Sequence, residues 1–121
     1  MFLDTIKRKT LSGQKAIIYG AGKGGEILLR EILNNKVHHI KPIGFIDDDP
    51  KKIGKKLYGY PIMGNFHDAQ RLCEQEAVGG LIVSFRNGHL SNIHEVKNFC
   101  KANGLFLKSF SIELDEVDME K

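Results

Sequence analysis

The sequence lacks the features that would assign it to a membrane-spanning, secreted or disulfide-bonded class. None of its apolar runs approaches the ~20 residues needed to cross a bilayer, and its first residues lack the apolar core of a signal peptide. Only two cysteines occur, Cys73 and Cys100, and each falls on an apolar helical stripe. We therefore predict two small buried thiols rather than a disulfide or a metal pair, in a chain of cytoplasmic character.

Charge is unevenly distributed along the 121 residues, although the net charge is only +3. Residues 1–15 carry four basic side chains against one acid, whereas residues 113–121 carry five acidic side chains against one lysine. No aromatic residues alternate with the basic run at 7–9, and no helix-turn-helix pattern accompanies it. We expect solvated ends and no binding of nucleic acid. The length is that of one domain, without repeats or low-complexity segments.

The most informative segment joins an apolar run to a glycine-rich turn. Residues 15–19 are followed by Gly20, Gly22 and Gly25 in the spacing G-x-G-x-x-G, and the sequence then continues as an amphipathic helix. In a dinucleotide-binding turn, the first glycine allows a tight change of direction and the second lets a pyrophosphate approach the backbone, while the third lets helix and strand pack closely. The phosphate meets the N–H groups at the helix start, where the dipole favours an anion.

The context of the glycines supports this interpretation. An acid, Asp47, follows the next apolar run, 43–46, and lies 27 residues after Gly20. That distance is somewhat longer than the usual ~20 residues. The alternative is that the glycines only form a tight turn and that the acids at 47–49 only solvate a loop.

Apolar and amphipathic segments alternate along the rest of the chain, which predicts an α/β fold. We predict a Rossmann-like three-layer α/β/α domain whose mainly parallel sheet has about five strands in the order 3-2-1-4-5, with the reversal between strands one and four. Helix two is expected to begin near Asn65, and helix three to be capped near Ser91. The predicted strands are 15–19, 43–46, 62–63, 80–85 and 105–110.

Folds of this kind bind ligands in the crevice where the strand order reverses. Ser84 and Arg86 border this crevice and are candidate polar contacts to a nucleotide, although Arg86 equally fits a surface loop charge. The candidate cofactor-binding residues are Gly20, Ala21, Gly22, Lys23, Gly24, Gly25, Asp47, Asp48, Ser84 and Arg86.

Four segments together carry a family resemblance. They are Ile-Tyr-Gly-Ala-Gly-Lys-Gly-Gly at 18–25, Ile-Gly-Phe-Ile-Asp-Asp-Asp-Pro at 43–50, Gly54, and Gly-Tyr-Pro-Ile-Met-Gly at 59–64. In this order and spacing they resemble a domain of membrane-bound bacterial nucleotide-sugar 4,6-dehydratases and epimerases of polysaccharide synthesis. In that family the domain lies between transmembrane helices and a separate catalytic short-chain-dehydrogenase domain.

The resemblance covers about residues 15–110 and implies one piece of a larger enzyme. It implies a basic segment at 1–14 next to a membrane helix, a nucleotide-binding domain at 15–110 and an acidic tail at 111–121. The parent would be a UDP-sugar 4,6-dehydratase, epimerase or 4-dehydrogenase at the cytoplasmic face of the membrane, which it would contact only through segments outside this sequence. Assembly of identical chains stays open.

The chain does not carry the catalytic pattern of those enzymes. Short-chain dehydrogenases need Tyr-x-x-x-Lys on one helix, where the lysine lowers the pKa of the tyrosine. The one such spacing here, Tyr19 to Lys23, straddles the glycine turn. The histidines do not have the spacing of metal ligands either. We therefore expect no catalytic residues, no metal site and no turnover by this chain alone.

Two other classes stay open. The run Gly-Phe-Ile-Asp-Asp-Asp-Pro and the later Gly-x-Pro-x-x-Gly also resemble the nucleotide-sugar-recognition domain of sugar O- or N-acyltransferases. Those domains usually carry a Gly-Gly-His-Gly variant, where this chain has Lys23-Gly24-Gly25. The third class is a ligand sensor of the coenzyme A-binding or redox-repressor type.

The expected cofactor is NAD, because a carboxylate at Asp47 accepts hydrogen bonds from ribose hydroxyls and repels the 2′-phosphate of NADP. The four lysines at 51, 52, 55 and 56 complicate this choice, since they either bind a phosphate or only solvate the loop. NADP therefore stays open, and coenzyme A and a UDP-sugar are the alternative ligands.

Overall fold

The computed structural model describes residues 13–84, 91–111 and 114–120. Two 3₁₀ turns, at Lys36–His38 and Phe66–Asp68, accompany its regular elements. No helix in these ranges is long and apolar enough to cross a membrane. The strands and helices are β1 Gln14–Tyr19, α1 Lys23–Asn34, β2 Ile40–Ile46, β3 Lys56–Leu57, β4 Tyr60–Gly64, α2 Ala69–Glu76, β5 Gly80–Ser84, α3 Ile93–Ala102 and β6 Phe106–Phe110.

The strands of the described residues form one six-stranded sheet in the order β3-β4-β2-β1-β5-β6. β1 pairs in parallel with both β2 and β5, and the parallel pairing continues to β4 on one side and to β6 on the other. These five parallel strands have the predicted order, 3-2-1-4-5. The reversal lies between β1 and β5, which puts the crevice of the fold at their carboxyl ends.

Side chains of the central strands alternate between two cores. Ile17 and Tyr19 of β1 pack toward α2 and α3, whereas Ala16 and Ile18 pack toward α1. This alternation confirms the predicted three-layer α/β/α arrangement, because it requires helices on both faces of the sheet.

The two cysteines behave as predicted. Cys73 of α2 and Cys100 of α3 are free, buried thiols in the core beneath these helices. Burial raises the pKa of both thiols, that of Cys73 to about 11, so both stay protonated at neutral pH.

The sheet has one strand more than predicted, because the loop after β2 folds back as a β-hairpin. β3 pairs antiparallel with β4 at the edge of the sheet. The two residues between them, Tyr58 and Gly59, have φ angles of 52° and 81°. A two-residue turn with positive φ at both positions matches the twist of paired strands, and Asn-Gly is the usual sequence signal for such a turn. A Tyr-Gly pair is not a usual signal for such a turn, so the sequence pattern indicated only a loop.

β2 begins earlier than predicted and includes Pro42. A proline has no N–H to donate to a strand ladder. The pairing with β1 shifts by one residue beside it, so that Ala16 lies opposite Pro42 and Ile17 lies opposite Gly44. The extra residue, Ile43, is accommodated as a bulge.

Two helix starts differ from the prediction. Asn65 does form a capping box with Asp68, with hydrogen bonds of 3.2 and 3.0 Å, but the box closes a 3₁₀ turn and α2 begins after it. Asn92 rather than Ser91 precedes α3, and its side chain makes no cap hydrogen bond. The Asn92 amide instead donates to the hydroxyl of Tyr19.

The approach of α1 to the end of β1 gives a stability prediction. A β-carbon on Gly25 would overlap the carbonyl oxygen of Gly20, which belongs to the backbone and cannot rotate away. Among the described residues, a β-carbon on Gly22 would meet only the Nζ atom of Lys52, at 3.7 Å. We expect Gly25→Ala to lower the free energy of unfolding by about 1–3 kcal/mol. Gly22→Ala should lower it less, by about 0.5 kcal/mol, because alanine is a poorer residue than glycine at the start of α1. Urea unfolding followed by circular dichroism measures both, and equal stabilities would contradict the close packing.

Candidate functional site

The predicted glycine turn connects β1 to α1 at the carboxyl edge of the sheet. Gly20 has a φ of 112°, which other residues rarely adopt, and its N–H donates to the carbonyl of Ile46 at 2.8 Å. Gly22 is the N-cap residue of α1, and no side chain in the described part of the chain forms a cap hydrogen bond there. Gly20 therefore provides the tight turn and Gly25 the close packing that the motif predicts. Among the described residues, the Nζ atom of Lys52 is the one atom near the position that a β-carbon on Gly22 would take, at 3.7 Å.

Asp47 reaches from the end of β2 to this turn. Its Oδ2 atom accepts a hydrogen bond from the Ala21 N–H at 2.8 Å, and its Oδ1 atom accepts one from the Asp49 N–H at 2.8 Å. The ammonium of Lys52 lies 3.8 Å from Oδ2, and only 15% of the Asp47 side chain is exposed. The carboxylate thus holds the glycine turn in shape and is itself oriented by two backbone donors and one cation.

Lys52 lies over the turn because its loop is folded rather than extended. Its N–H donates to the carbonyl of Asp49 at 3.0 Å, and its own carbonyl accepts from the N–H of Lys55 at 3.1 Å. The sequence pattern does not distinguish the four lysines of this loop. The structure separates Lys52 from its neighbour Lys51, which is exposed.

Asp48 makes contacts different from those of Asp47. Its carboxylate accepts a hydrogen bond from the hydroxyl of Tyr19 and another, of 3.1 Å, from the N–H of Phe66. The Asn92 amide also donates to the Tyr19 hydroxyl, at 3.0 Å. The rings of Tyr19 and Phe66 stack with their centres 5.5 Å apart. This cluster joins β1, the loop after β2 and the starts of the α2 and α3 segments.

This cluster of Tyr19, Asp48, Phe66 and Asn92 was not predicted from the sequence. An aromatic residue before the glycines and a second acid after β2 were visible, but neither indicates its partner. Burial, together with the hydrogen bond to Asp48, raises the pKa of Tyr19 well above its usual value. A tyrosine that exchanges protons in a short-chain dehydrogenase needs the opposite shift. Lys23 pairs instead with Glu26, at 3.7 Å, so Tyr19 serves here as a buried hydrogen-bond donor.

The tip of the β3–β4 hairpin is attached to the first turns of α1. The Tyr58 hydroxyl donates to Glu26 at 2.7 Å, and the Arg30 guanidinium donates to that hydroxyl and lies 4.9 Å from the centre of the Tyr58 ring. The hydrogen bond from Tyr58, supported by Lys23 and Arg30, lowers the pKa of Glu26. These contacts hold the hairpin, and with it the loop that carries Lys52, against the helix.

The remaining predicted residues are placed as follows. Ser84 ends β5, the strand next to β1, and so lies at the same edge of the sheet as the glycine turn. Lys23 and Gly24 lie in the first turn of α1. Arg86 and nearly all of the basic segment 1–14 lie outside the described residues. In the part of the chain that is described, no group of three or more His, Cys, Asp or Glu side chains could hold a metal ion.

The chain is similar in sequence to proteins of polysaccharide biosynthesis, as the four segments indicated. One relative is the probable polysaccharide biosynthesis protein EpsC of Bacillus subtilis (strain 168), which is 25% identical over 105 residues. The alignment covers 87% of this chain but 18% of EpsC, so the chain spans less than a fifth of that relative.

Two solved structures share the fold. The first is UDP-D-quinovosamine 4-dehydrogenase from Vibrio fischeri, with a TM-score of 0.63 and 24% identity, covering 84% of this chain and 80% of that one. The second is RSP, a Rex-family repressor solved in complex with β-NADH, with a TM-score of 0.67 and 17% identity, covering 94% and 54%. Both likenesses confirm the Rossmann-like fold. The CoA-binding domain family matches residues 1–104, which is most of the sequence, and this chain therefore belongs to that family.

Proposed function

We propose that this chain is the nucleotide-binding domain of a larger enzyme that modifies nucleotide-sugars in surface polysaccharide synthesis. It binds its nucleotide at the glycine turn and performs no chemistry of its own. The relationship to EpsC and the small share of EpsC that the chain spans support a domain with a partner catalytic domain. The likeness to a UDP-sugar dehydrogenase supports the same class of substrate.

The single observation that carries the proposal is the anion-compatible surface at Gly22. Backbone without a side chain lies at the start of α1, where the helix dipole and N–H groups favour a negative charge. The ammonium of Lys52 stands 3.7 Å from the position that a β-carbon on Gly22 would take. A diphosphate is the part of a nucleotide cofactor that fits this combination of bare backbone and positive charge.

NAD is the ligand that we propose first. The repressor RSP, which shares the fold, is solved with β-NADH, and Asp47 provides a carboxylate beside the turn for ribose hydroxyls. Coenzyme A is the second candidate because the family is described as CoA-binding. Both molecules contain an adenosine joined to a diphosphate, so one turn could serve either, and titration of the chain with both ligands distinguishes them.

The binding proposal is tested at Gly22. We expect Gly22→Val to abolish binding of NAD, because the isopropyl group would occupy the space of the diphosphate. The domain should stay folded, since no backbone atom of residues 13–84, 91–111 and 114–120 lies within 4 Å of that β-carbon position, apart from the chain neighbours of Gly22. Isothermal titration measures binding, and circular dichroism checks the fold. A folded Gly22→Val chain that binds NAD as well as the parent would rule out this turn as the binding surface.

The absence of turnover is tested with the purified 121-residue chain. We expect no conversion of a UDP-sugar in the presence of NAD, because Tyr19 has a raised pKa and donates to Asp48 rather than pairing with a lysine. Mass spectrometry of the sugar nucleotide and absorbance of NADH provide the measurement. A product that accumulates in proportion to the amount of chain would refute the non-catalytic assignment.

The preference for NAD over NADP is tested at Asp47. We expect NAD to bind more tightly than NADP. Asp47→Asn should weaken the binding of NAD by roughly 1–3 kcal/mol and should reduce the ratio of NAD affinity to NADP affinity. The ratio matters because Asp47 also holds the turn through Ala21 and Asp49. If shaping the loop were its only role, the variant would weaken both cofactors equally. Asp49→Asn is the matched control, and it should leave the ratio unchanged.

A further inference from the structure

One lysine of the β2–β3 loop, Lys52, lies beside the backbone surface at Gly22 to which a diphosphate would bind. The Nζ atom of Lys52 lies 3.7 Å from the β-carbon position of Gly22 and 3.8 Å from Oδ2 of Asp47. Its side chain is 39% exposed, so the ammonium borders both the turn and solvent. A lysine ammonium carries three donors on a flexible stem and can contact two anionic groups at once.

The loop that carries Lys52 has a defined shape. Backbone hydrogen bonds link Lys52 to Asp49 and to Lys55, and the N–H of Gly54 donates to the carbonyl of Ile62 in β4 at 2.9 Å. The hairpin that follows is attached to α1 through Tyr58. The backbone of Lys52 is therefore positioned before any ligand binds, which reduces the entropy lost when its side chain makes a contact.

Without a nearby cation, the negative charge of Asp47 would repel a phosphate group at this turn. Its carboxylate is held beside Ala21 by two backbone donors, and a diphosphate over Gly22 would lie close to that negative charge. The ammonium of Lys52, which lies 3.8 Å from Oδ2 of Asp47, would offset that repulsion.

We propose that Lys52 is a phosphate ligand of this domain, with its ammonium shared between Asp47 and the diphosphate of the bound nucleotide. The inference rests on the proposed function, because it names the side chain that completes the same site. It also separates one lysine of the loop from the other three, which solvate the surface.

The test compares Lys52→Met with Lys51→Met in the 121-residue chain. Both variants remove one positive charge from adjacent positions, so their net charges are equal. NADH fluorescence and isothermal titration with coenzyme A and UDP-glucose provide the probes. We expect Lys52→Met to lower the affinity for whichever probe the parent binds by about 10-fold or more, because a charge-assisted hydrogen bond is lost. Lys51→Met should stay within about twofold of the parent, and Lys52→Arg should recover part of the loss.

Salt dependence separates a phosphate contact from a purely structural role. Lys52→Met should bind with a weaker dependence on ionic strength than the parent, because one ionic contact with the ligand is gone. Lys51→Met should keep the parent's dependence.

The possible failures are distinguishable. If the parent binds a probe and Lys52→Met binds it as tightly as Lys51→Met does, Lys52 is not a ligand and the proposed function stands. A loss of affinity with unchanged salt dependence and a lower unfolding temperature would also overturn the inference, since Lys52 would then only support the loop. If the parent chain binds none of the three probes, the proposed function and this inference fail together.

Discussion

The contact between the backbones of Gly20 and Gly25 governs the geometry of this domain. Because neither residue has a side chain, the first turn of α1 packs directly against the end of β1. This approach fixes the start of the helix at the carboxyl end of β1, and it brings the N–H of Ala21 within reach of Asp47. A larger residue at position 25 would displace the helix start, and the surface at Gly22 would move with it.

Two consecutive acids then divide the carboxyl edge of the sheet into two environments. Asp47 orders the glycine turn on the side of α1, while Asp48 binds Tyr19 and Phe66 on the side of α2 and α3. One side presents bare backbone and a cation, which suit an anionic ligand. The other side is a closed set of aromatic and hydrogen-bonded groups that fastens the helix starts to the sheet.

Local patterns in the sequence predicted the five parallel strands, their order and the two buried thiols. Each of these features depends on periodicity or on connections of a kind that permit few topologies. Features set by distant partners were not predictable. The start of α3 is one, since Asn92 donates to Tyr19, which lies 73 residues earlier in the chain. The β3–β4 hairpin is another, because Tyr58 is held in its turn by contacts with Glu26 and Arg30 of α1.

In the candidate site, too, some features follow from the sequence and others only from the folded chain. The glycine spacing and the acid after the second strand are properties of the sequence. They imply a strand, a turn and a helix start because Gly20 adopts a φ of 112° and Gly25 packs against the carbonyl of Gly20. Which lysine of the loop reaches the turn was decided by the folded chain. Four lysines within six residues are equivalent in composition, but the hairpin returns along β4 and leaves Lys52 beside Asp47 and Gly22. That selection depends on where the loop is anchored in three dimensions, and no local pattern encodes it.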